Sequence, residues 1–259
     1  MAEDLAEAFD ARSARAVARG AIEPIDTELV EVPDDGVRFA VRVVAGLARK
    51  HAAPAPPGGS PFLPFAEDAF VAELSPTHVL LLNKYPVLRR HALVVTRAFE
   101  DQQEPLGLGD FEALARCRAG LGGLGFYNAG AIAGASQRHK HLQVVSLPLG
   151  GGPEALPLGA RIAAGELPFA HARAALGSDE PEELLAAYRA LVAEPRRPYN
   201  LLVGDGWMLH VPRTRPACED VPINALGFAG ALLVRDHAQL ERVRRAGPFR
   251  LLRHVTAAR

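Results

Sequence analysis

The chain has 259 residues, of which 49% are hydrophobic and 23% charged, and its 29 Lys and Arg against 30 Asp and Glu give a formal net charge of -1. Such a composition supports one large domain or two smaller ones, and it excludes the basic field through which a protein recruits nucleic acid. No apolar run reaches the roughly 18 residues of a membrane span, and the acidic start Met1-Ala2-Glu3-Asp4 lacks the positive segment of a secretion signal. The two cysteines, Cys117 and Cys218, lie far apart and give neither a disulfide framework nor zinc-site spacing. A cytoplasmic enzyme acting on small molecules is the expectation.

Residues 2–19 have the periodicity of an amphipathic helix, with Leu5, Ala8, Phe9 and Ala16 near one stripe and Gly20 at its end. Thr27 to Val32 and Val37 to Val44 flank Asp34-Asp35-Gly36, a hairpin signal. Residues 51–61 form a loop rich in Pro, Ala and Gly, and the following Phe62 and Phe65 are expected as core plugs. His78 to Asn83 and His91 to Thr96 are strand candidates, and the polar segment between them is expected to rim a cleft. Asp110 is placed to cap a helix carrying Phe111, Leu114, Ala115 and Leu121, ended by Gly122-Gly123, with Cys117 as packing. Gly and Pro break the chain from Leu149 onward, so the stretch through Pro168 is expected as a mobile surface segment. Ser178 or Asp179 then caps a helix from Glu180 to Ala193, with a core face through Leu184, Leu185, Tyr188, Leu191 and Val192. Tyr199 to Val203 and Trp207 to Val211 surround Gly204-Asp205-Gly206, a second hairpin in which Trp207 is an anchor. Asn224 to Val234 begins Gly-rich and ends as an apolar strand before a charged helical tail. Hairpins alternating with a few helices predict an α+β fold in preference to a doubly wound parallel sheet.

Ser136 to Val145 reads Ser-Gln-Arg-His-Lys-His-Leu-Gln-Val-Val, and in an extended strand His139, His141 and Gln143 project from one face. Two imidazoles and an amide then line a cleft, preceded by Gly134-Ala135-Ser136, a turn suited to holding phosphate. Residue types alone leave three readings open: a metal pair, ordinary structural histidines, and nucleophilic catalysis. The metal reading is weakened because the third position is Gln143, a poor ligand.

The neighbouring blocks favour catalysis. Leu82-Asn83-Lys84-Tyr85-Pro86-Val87, His91-Ala92-Leu93-Val94-Val95-Thr96, Phe126-Tyr127-Asn128-Ala129-Gly130 and Gly134-Ala135-Ser136-Gln137 stand in order before the His-x-His-x-Gln strand. Together they resemble the ATP adenylyltransferase family, the diadenosine tetraphosphate phosphorylases, in the transferase branch of the histidine-triad superfamily. Pro198-Tyr199-Asn200-Leu201-Leu202, Trp207-Met208, Val211-Pro212-Arg213 and Asn224 to Gly230 look like that family's C-terminal region. The resemblance covers about residues 60–235 and departs at Arg138, where the family usually has Pro. It implies a histidine-triad-like antiparallel sheet with packed helices, a core over residues 1–194, and a C-terminal region over 195–259 that adds strands to the same globule.

The resemblance also implies a reaction. A neutral imidazole nitrogen of His141 attacks the α-phosphorus of the dinucleotide and expels ATP, and inorganic phosphate then takes the adenylyl group as ADP. By resemblance the His139 backbone carbonyl fixes the His141 tautomer, and the Gln143 amide faces a phosphoryl oxygen. An amide cannot protonate a leaving group or activate water, so Gln143 favours transfer over hydrolysis. Three lysines among the 29 basic residues, Lys50, Lys84 and Lys140, lie in or near these blocks. Lys50 and Lys84 are candidates for phosphate contact, while alternation points Lys140 away from the histidine face. Asn83, Asn128, Gly130, Ser136 and Gln137 are the other substrate-binding candidates. The expected partners are diadenosine polyphosphates, ATP, ADP and phosphate, with no covalent cofactor, no protein-held metal, no membrane and no nucleic acid; Mg2+ can accompany the nucleotide. Oligomeric state is left open. Two rival functions are a hexose-phosphate uridylyltransferase, which shares the His-x-His-x-Gln strand, and a non-catalytic dinucleotide sensor. His51, His78, His91, His171, His210, His237 and His254 are assigned to structure or solvent.

Overall fold

The computed structural model describes residues 2–44 and 60–258. Helix α1 (Ala2–Ala18) ends ahead of Gly20, which takes a φ of 68°. Strands β1 (Thr27–Asp34) and β2 (Val37–Val44) form the expected antiparallel hairpin, and Asp35 and Gly36 at its turn both have positive φ, matching the twist of the strands.

The main sheet is built from β3 (Phe70–Glu73), β4 (His78–Leu82), β5 (Ala92–Thr96), β6 (Leu124–Asn128), β7 (His141–Val145), β8 (Ala172–Ala175), β9 (Tyr199–Gly204) and β10 (Trp207–Pro212). Its order is β3-β4-β5-β7-β6-β9-β10-β8, and each neighbouring pair is antiparallel. The C-terminal hairpin therefore joins the same sheet as the histidine strand, through β6 and β9. Helices α2 (Leu108–Leu121), α3 (Gly159–Ala164) and α4 (Pro181–Leu191) intervene. After the short pair β11 (Ala217–Cys218) and β12 (Val221–Pro222), strand β13 (Ala231–Val234) runs parallel to β2 and completes a small second sheet. Helices α5 (His237–Ala246) and α6 (Pro248–Val255) close the chain. The architecture is the expected α+β one.

Strand alternation divides the core. One face of the main sheet meets α1, α2 and α4 through Phe9, Phe111, Leu114, Leu142, Val144 and Tyr188. Each large side chain withdrawn there contributes about 1.5–3 kcal/mol. The other face carries two separate apolar clusters. Val79, Leu81, Leu93 and Val95 pack with Phe62, Phe65 and Phe70. Further across the sheet, Phe126, Val145, Leu202 and Leu209 pack with Phe39 and Val41 of β2, Leu232 of β13 and Phe249 of α6. Trp207 belongs to this second cluster and anchors the hairpin as expected. Between the clusters β7 presents His141 and Gln143, with Leu93 and Phe126 opposite Gln143 on either side.

Three expectations are corrected. Asp110 does not cap α2; the cap is Gly107, and the Asp110 carboxylate accepts from its N–H at 2.7 Å from within the first turn. Likewise α4 starts after Glu180, because Pro181 suits the first helical position, while Asp179 is drawn to Arg118 at 2.8 Å. The segment after Leu149 is no mobile surface stretch: Leu149, Leu156, Leu158, Ile162, Leu167 and Phe169 are buried in the second cluster, and α3 forms within it. Those apolar side chains have no regular spacing, yet their burial outweighs the Gly and Pro content around them. The loop expected over residues 51–61 lies outside the described residues up to position 59.

Candidate active site

Strand β7 begins at His141, so His139 and Lys140 precede the regular ladder, and His139 is joined to Asp101 by an isolated bridge. The imidazole of His141 is held by its own backbone neighbourhood. Its Nδ1 donates to the His139 carbonyl at 2.8 Å, which leaves the Nε2 lone pair bare, and Nε2 has no hydrogen-bond partner among the described residues. Burial at 4% exposure pushes the ring's pKa down to about 4, so it is unprotonated at neutral pH.

His139 is locked in place as a neutral ring. Its Nε2 lies 2.9 Å from the Thr96 carbonyl and 2.8 Å from the Thr96 hydroxyl, and Nδ1 bonds the Ser60 hydroxyl. Burial lowers its pKa as well. Phe62 covers both rings edge-on, 5.6 Å from His139 and 5.4 Å from His141, so it is more than a core plug. Phe65 keeps the expected packing role.

Gln143 is oriented through a chain of hydrogen bonds. The Tyr85 N–H donates to Asn83 Oδ1 at 3.0 Å, Asn83 Nδ2 to His91 Nδ1 at 3.2 Å, and His91 Nε2 to Gln143 Oε1 at 2.7 Å. Because the first donor is a backbone N–H, every later direction follows. The Gln143 NH2 group is left as a pure donor with no partner among the described residues. His91, expected as a structural histidine without a partner, is thus corrected to a member of the site. It immediately precedes β5, one diagonal step from Gln143, and that pairing was the missing signal.

Lys140 points away from the histidine face, as alternation predicts. Its ammonium meets Glu100 at 3.0 Å and Asp110 at 3.1 Å, and Asp110 also bonds His78 at 3.1 Å. Burial works against the Lys140 charge, but the two carboxylates outweigh it and hold the pKa above its ordinary value. Gln102 escaped the sequence reading altogether. Its side chain bonds both main-chain groups of His141 and the Asn128 carbonyl.

Asn128 is buried, and its Oδ1 accepts from Asn200 Nδ2 at 2.7 Å and Ala225 N–H at 3.0 Å. Only its amide NH2 is left without a partner among the described residues. Arg213, which donates to Asn200 Oδ1 at 2.6 Å, ties this cluster to the end of β10. Gly130 has a φ of 81°, and a Cβ there would strike Gln103, so glycine is required where the chain turns out of β6. Ser136 is exposed and Gln137 half-buried in the loop before His139, neither with a side-chain hydrogen bond among the described residues. Arg138 beside them pairs with Asp101 at 2.8 Å. Lys84 is exposed, its ammonium 5.4 Å from the Tyr85 ring. Lys50 and His51 lie outside the described residues.

A cavity of about 380 Å3 opens beside this chain of bonds, lined by Phe9 and Ile22 on one side and by Asn83, Val87 and His91 on the other. Its size and mixed lining suit a small organic ligand. No group of three His, Cys, Asp or Glu side chains among the described residues is placed to hold a metal. No helix among them is long and apolar enough to cross a membrane.

A family model for the Ap4A phosphorylase N-terminal domain matches residues 1–164, and one for the ATP adenylyltransferase C-terminal domain matches residues 165–258. Among curated proteins of Saccharomyces cerevisiae, diadenosine 5',5'''-P1,P4-tetraphosphate phosphorylase 2 is 31% identical over 206 residues, 62% of this chain and 63% of the relative. Protein APA1 is 28% identical over 196 residues, 61% of each. The chain thus spans 63% and 61% of the length of these two relatives. The crystal structure of yeast Ap4A phosphorylase Apa2 superposes with a TM-score of 0.79 at 25% identity, over 98% of this chain and 94% of that one. The same protein in complex with Ap4A gives 0.79 at 23% identity, over 98% and 97%, and so speaks for the fold. On these matches the chain belongs to the Ap4A phosphorylase family.

Proposed function

We propose that this protein catalyses the phosphorolysis of diadenosine tetraphosphate to ATP and ADP through an adenylyl group carried on His141. The lone pair of Nε2 attacks the α-phosphorus, the bond from that phosphorus to the bridging oxygen breaks, and ATP leaves with the electron pair. Nδ1–H stays on the His139 carbonyl and supports the positive charge that the ring acquires. The NH2 groups of Gln143 and Asn128 donate to phosphoryl oxygens as charge develops there. Inorganic phosphate then attacks the same phosphorus, the P–N bond breaks, and ADP departs with the imidazole neutral again.

The observation that carries this reading is the Nδ1 contact to the His139 carbonyl in a ring that burial keeps neutral near pH 7, beside an amide whose oxygen His91 already occupies. The membership of the family supports the choice of substrate. Lys84, Ser136 and Gln137 meet the phosphates, with Mg2+ free to accompany the nucleotide. The compartment is cytoplasmic.

The test is incubation with Ap4A labelled in its adenylyl group, quenched in alkali, where a phosphoramidate survives. Label on His141 that is released by acid, absent from the His141→Ala variant, together with turnover that requires phosphate, is the expected result. Release of AMP without phosphate would place the protein among hydrolases, and label from a UDP-sugar would make it a uridylyltransferase.

A further inference from the structure

The ladder between β6 and β7 stops early. It pairs Leu124 with Val145, Gly125 with Val144 and Phe126 with Gln143, and two residues further along each strand stand Asn128 and His141. There the carboxamide of Gln102 is interposed. Its Oε1 accepts from the His141 N–H at 2.8 Å, and its Nε2 donates to the His141 carbonyl at 3.1 Å and the Asn128 carbonyl at 3.0 Å. Opposite Val95 on β5, His141 turns both main-chain groups toward β6, so both end on this one side chain. Gln102 is 1% exposed and is itself pinned: its N–H donates to the Arg138 carbonyl at 2.7 Å, and the Tyr127 hydroxyl donates to the Gln102 carbonyl.

We infer that Gln102 is a positioning residue for the nucleophile, holding the His141 peptide, and through it the ring, where a sheet neighbour would otherwise stand. Two strands bonded directly would lie about 4.8 Å apart. A side chain bridging them separates Asn128 from His141 and opens the sheet beside the reacting nitrogen. It also holds the peptide in the orientation that keeps Nδ1 on the His139 carbonyl. The inference rests on the proposed transfer through His141.

The test is the single-turnover rate at which labelled Ap4A labels His141 in the parent, Gln102→Met and Gln102→Glu. Methionine matches the length of glutamine without its polar atoms. Its rate should fall about 100-fold while half-saturating dinucleotide stays within about threefold, because the substrate contacts are intact. An ionised glutamate accepts from the His141 N–H but donates to neither carbonyl, and it regains an O–H donor on protonation. Burial raises such a carboxyl above the ordinary carboxylate range, so the variant's rate should rise at least about fivefold between pH 8 and pH 5.5, whereas the parent's stays flat. A residue that only kept the sheet folded would lower the melting temperature and produce no such rise. A folded Gln102→Met protein within about threefold of the parent rate overturns the inference, as does a flat pH profile for Gln102→Glu. Should the methionine protein not fold, the glutamate profile decides alone. A parent protein that never labels His141 refutes the proposed function instead.

Discussion

Lowering the pH separates a buried nucleophile from an ordinary histidine. A free imidazole has a pKa of about 6.5, so at pH 5.5 roughly nine rings in ten would be protonated and the attack rate would fall about tenfold from its value at pH 7.5. His141 is pushed down to about 4 by burial, and at pH 5.5 only about 3% of it is protonated, so its rate should be unchanged. The assay is quench-flow labelling by Ap4A in the absence of phosphate, with protein in excess. The dinucleotide has no terminal phosphate to titrate, and the phosphate acceptor is left out. The same property appears in stability. Below about pH 6.5 the unfolded chain takes up a proton that folded His141 refuses until about pH 4, so stability is complete above this window and drains as the pH falls through it. The slope is about 1.4 kcal/mol per pH unit, or about 2 kcal/mol between pH 6.5 and pH 5. His210, also pushed to about 4 by burial, and His139, lowered by burial as well, add slopes of the same sign, so urea unfolding of His141→Asn should lose stability over this interval less steeply than the parent. A tenfold fall in labelling between pH 7.5 and pH 5.5, or equal slopes for parent and variant, would refute the assignment of a buried neutral nucleophile.

Three further outcomes follow from the geometry. His91→Phe removes the donor that occupies Gln143 Oε1; labelling should slow about 10- to 100-fold in a protein that still melts cooperatively, and parent-like labelling would remove the bond chain from the mechanism. Lys84→Ala should raise the KM for Ap4A about tenfold at constant kcat in steady-state assays, and an unchanged KM would take Lys84 out of the phosphate site. Gly123→Ala sets a Cβ onto the Val145 carbonyl oxygen at a φ of 91°, and urea unfolding should register a loss of more than about 2 kcal/mol.

The histidine strand was legible because its pattern is local. Alternation alone puts His141 and Gln143 on one face and Lys140 on the other, and the paired apolar strands β4 and β5 follow from Val- and Leu-rich runs with a polar loop between them. His91 was hidden since its partner lies 52 positions away and becomes visible only when β5 is laid beside β7. Gln102 was hidden for a deeper reason: an amide in an irregular loop carries no periodicity, and its bonds to His141 stand where a ladder fails to form. The stretch from Leu149 to Phe169 misled in the opposite sense. Gly and Pro predict its backbone, which is indeed irregular, but say nothing of the apolar side chains that pin it to the core.

The direction of the Gln143 bond chain bears on the class of reaction. It begins at the Tyr85 N–H, a group that can only donate, and each link passes one hydrogen forward until the Gln143 NH2 faces the cleft. A carboxamide neither gains nor loses a proton near neutral pH, so this NH2 group can donate to developing negative charge but cannot act as acid or base. His139 is equally committed, with both ring nitrogens engaged by Ser60 and Thr96. The only lone pair of an imidazole presented by the strand is therefore that of His141. An acceptor that arrives already anionic needs no base to deprotonate it, whereas water does. Inorganic phosphate matches what these side chains leave undone.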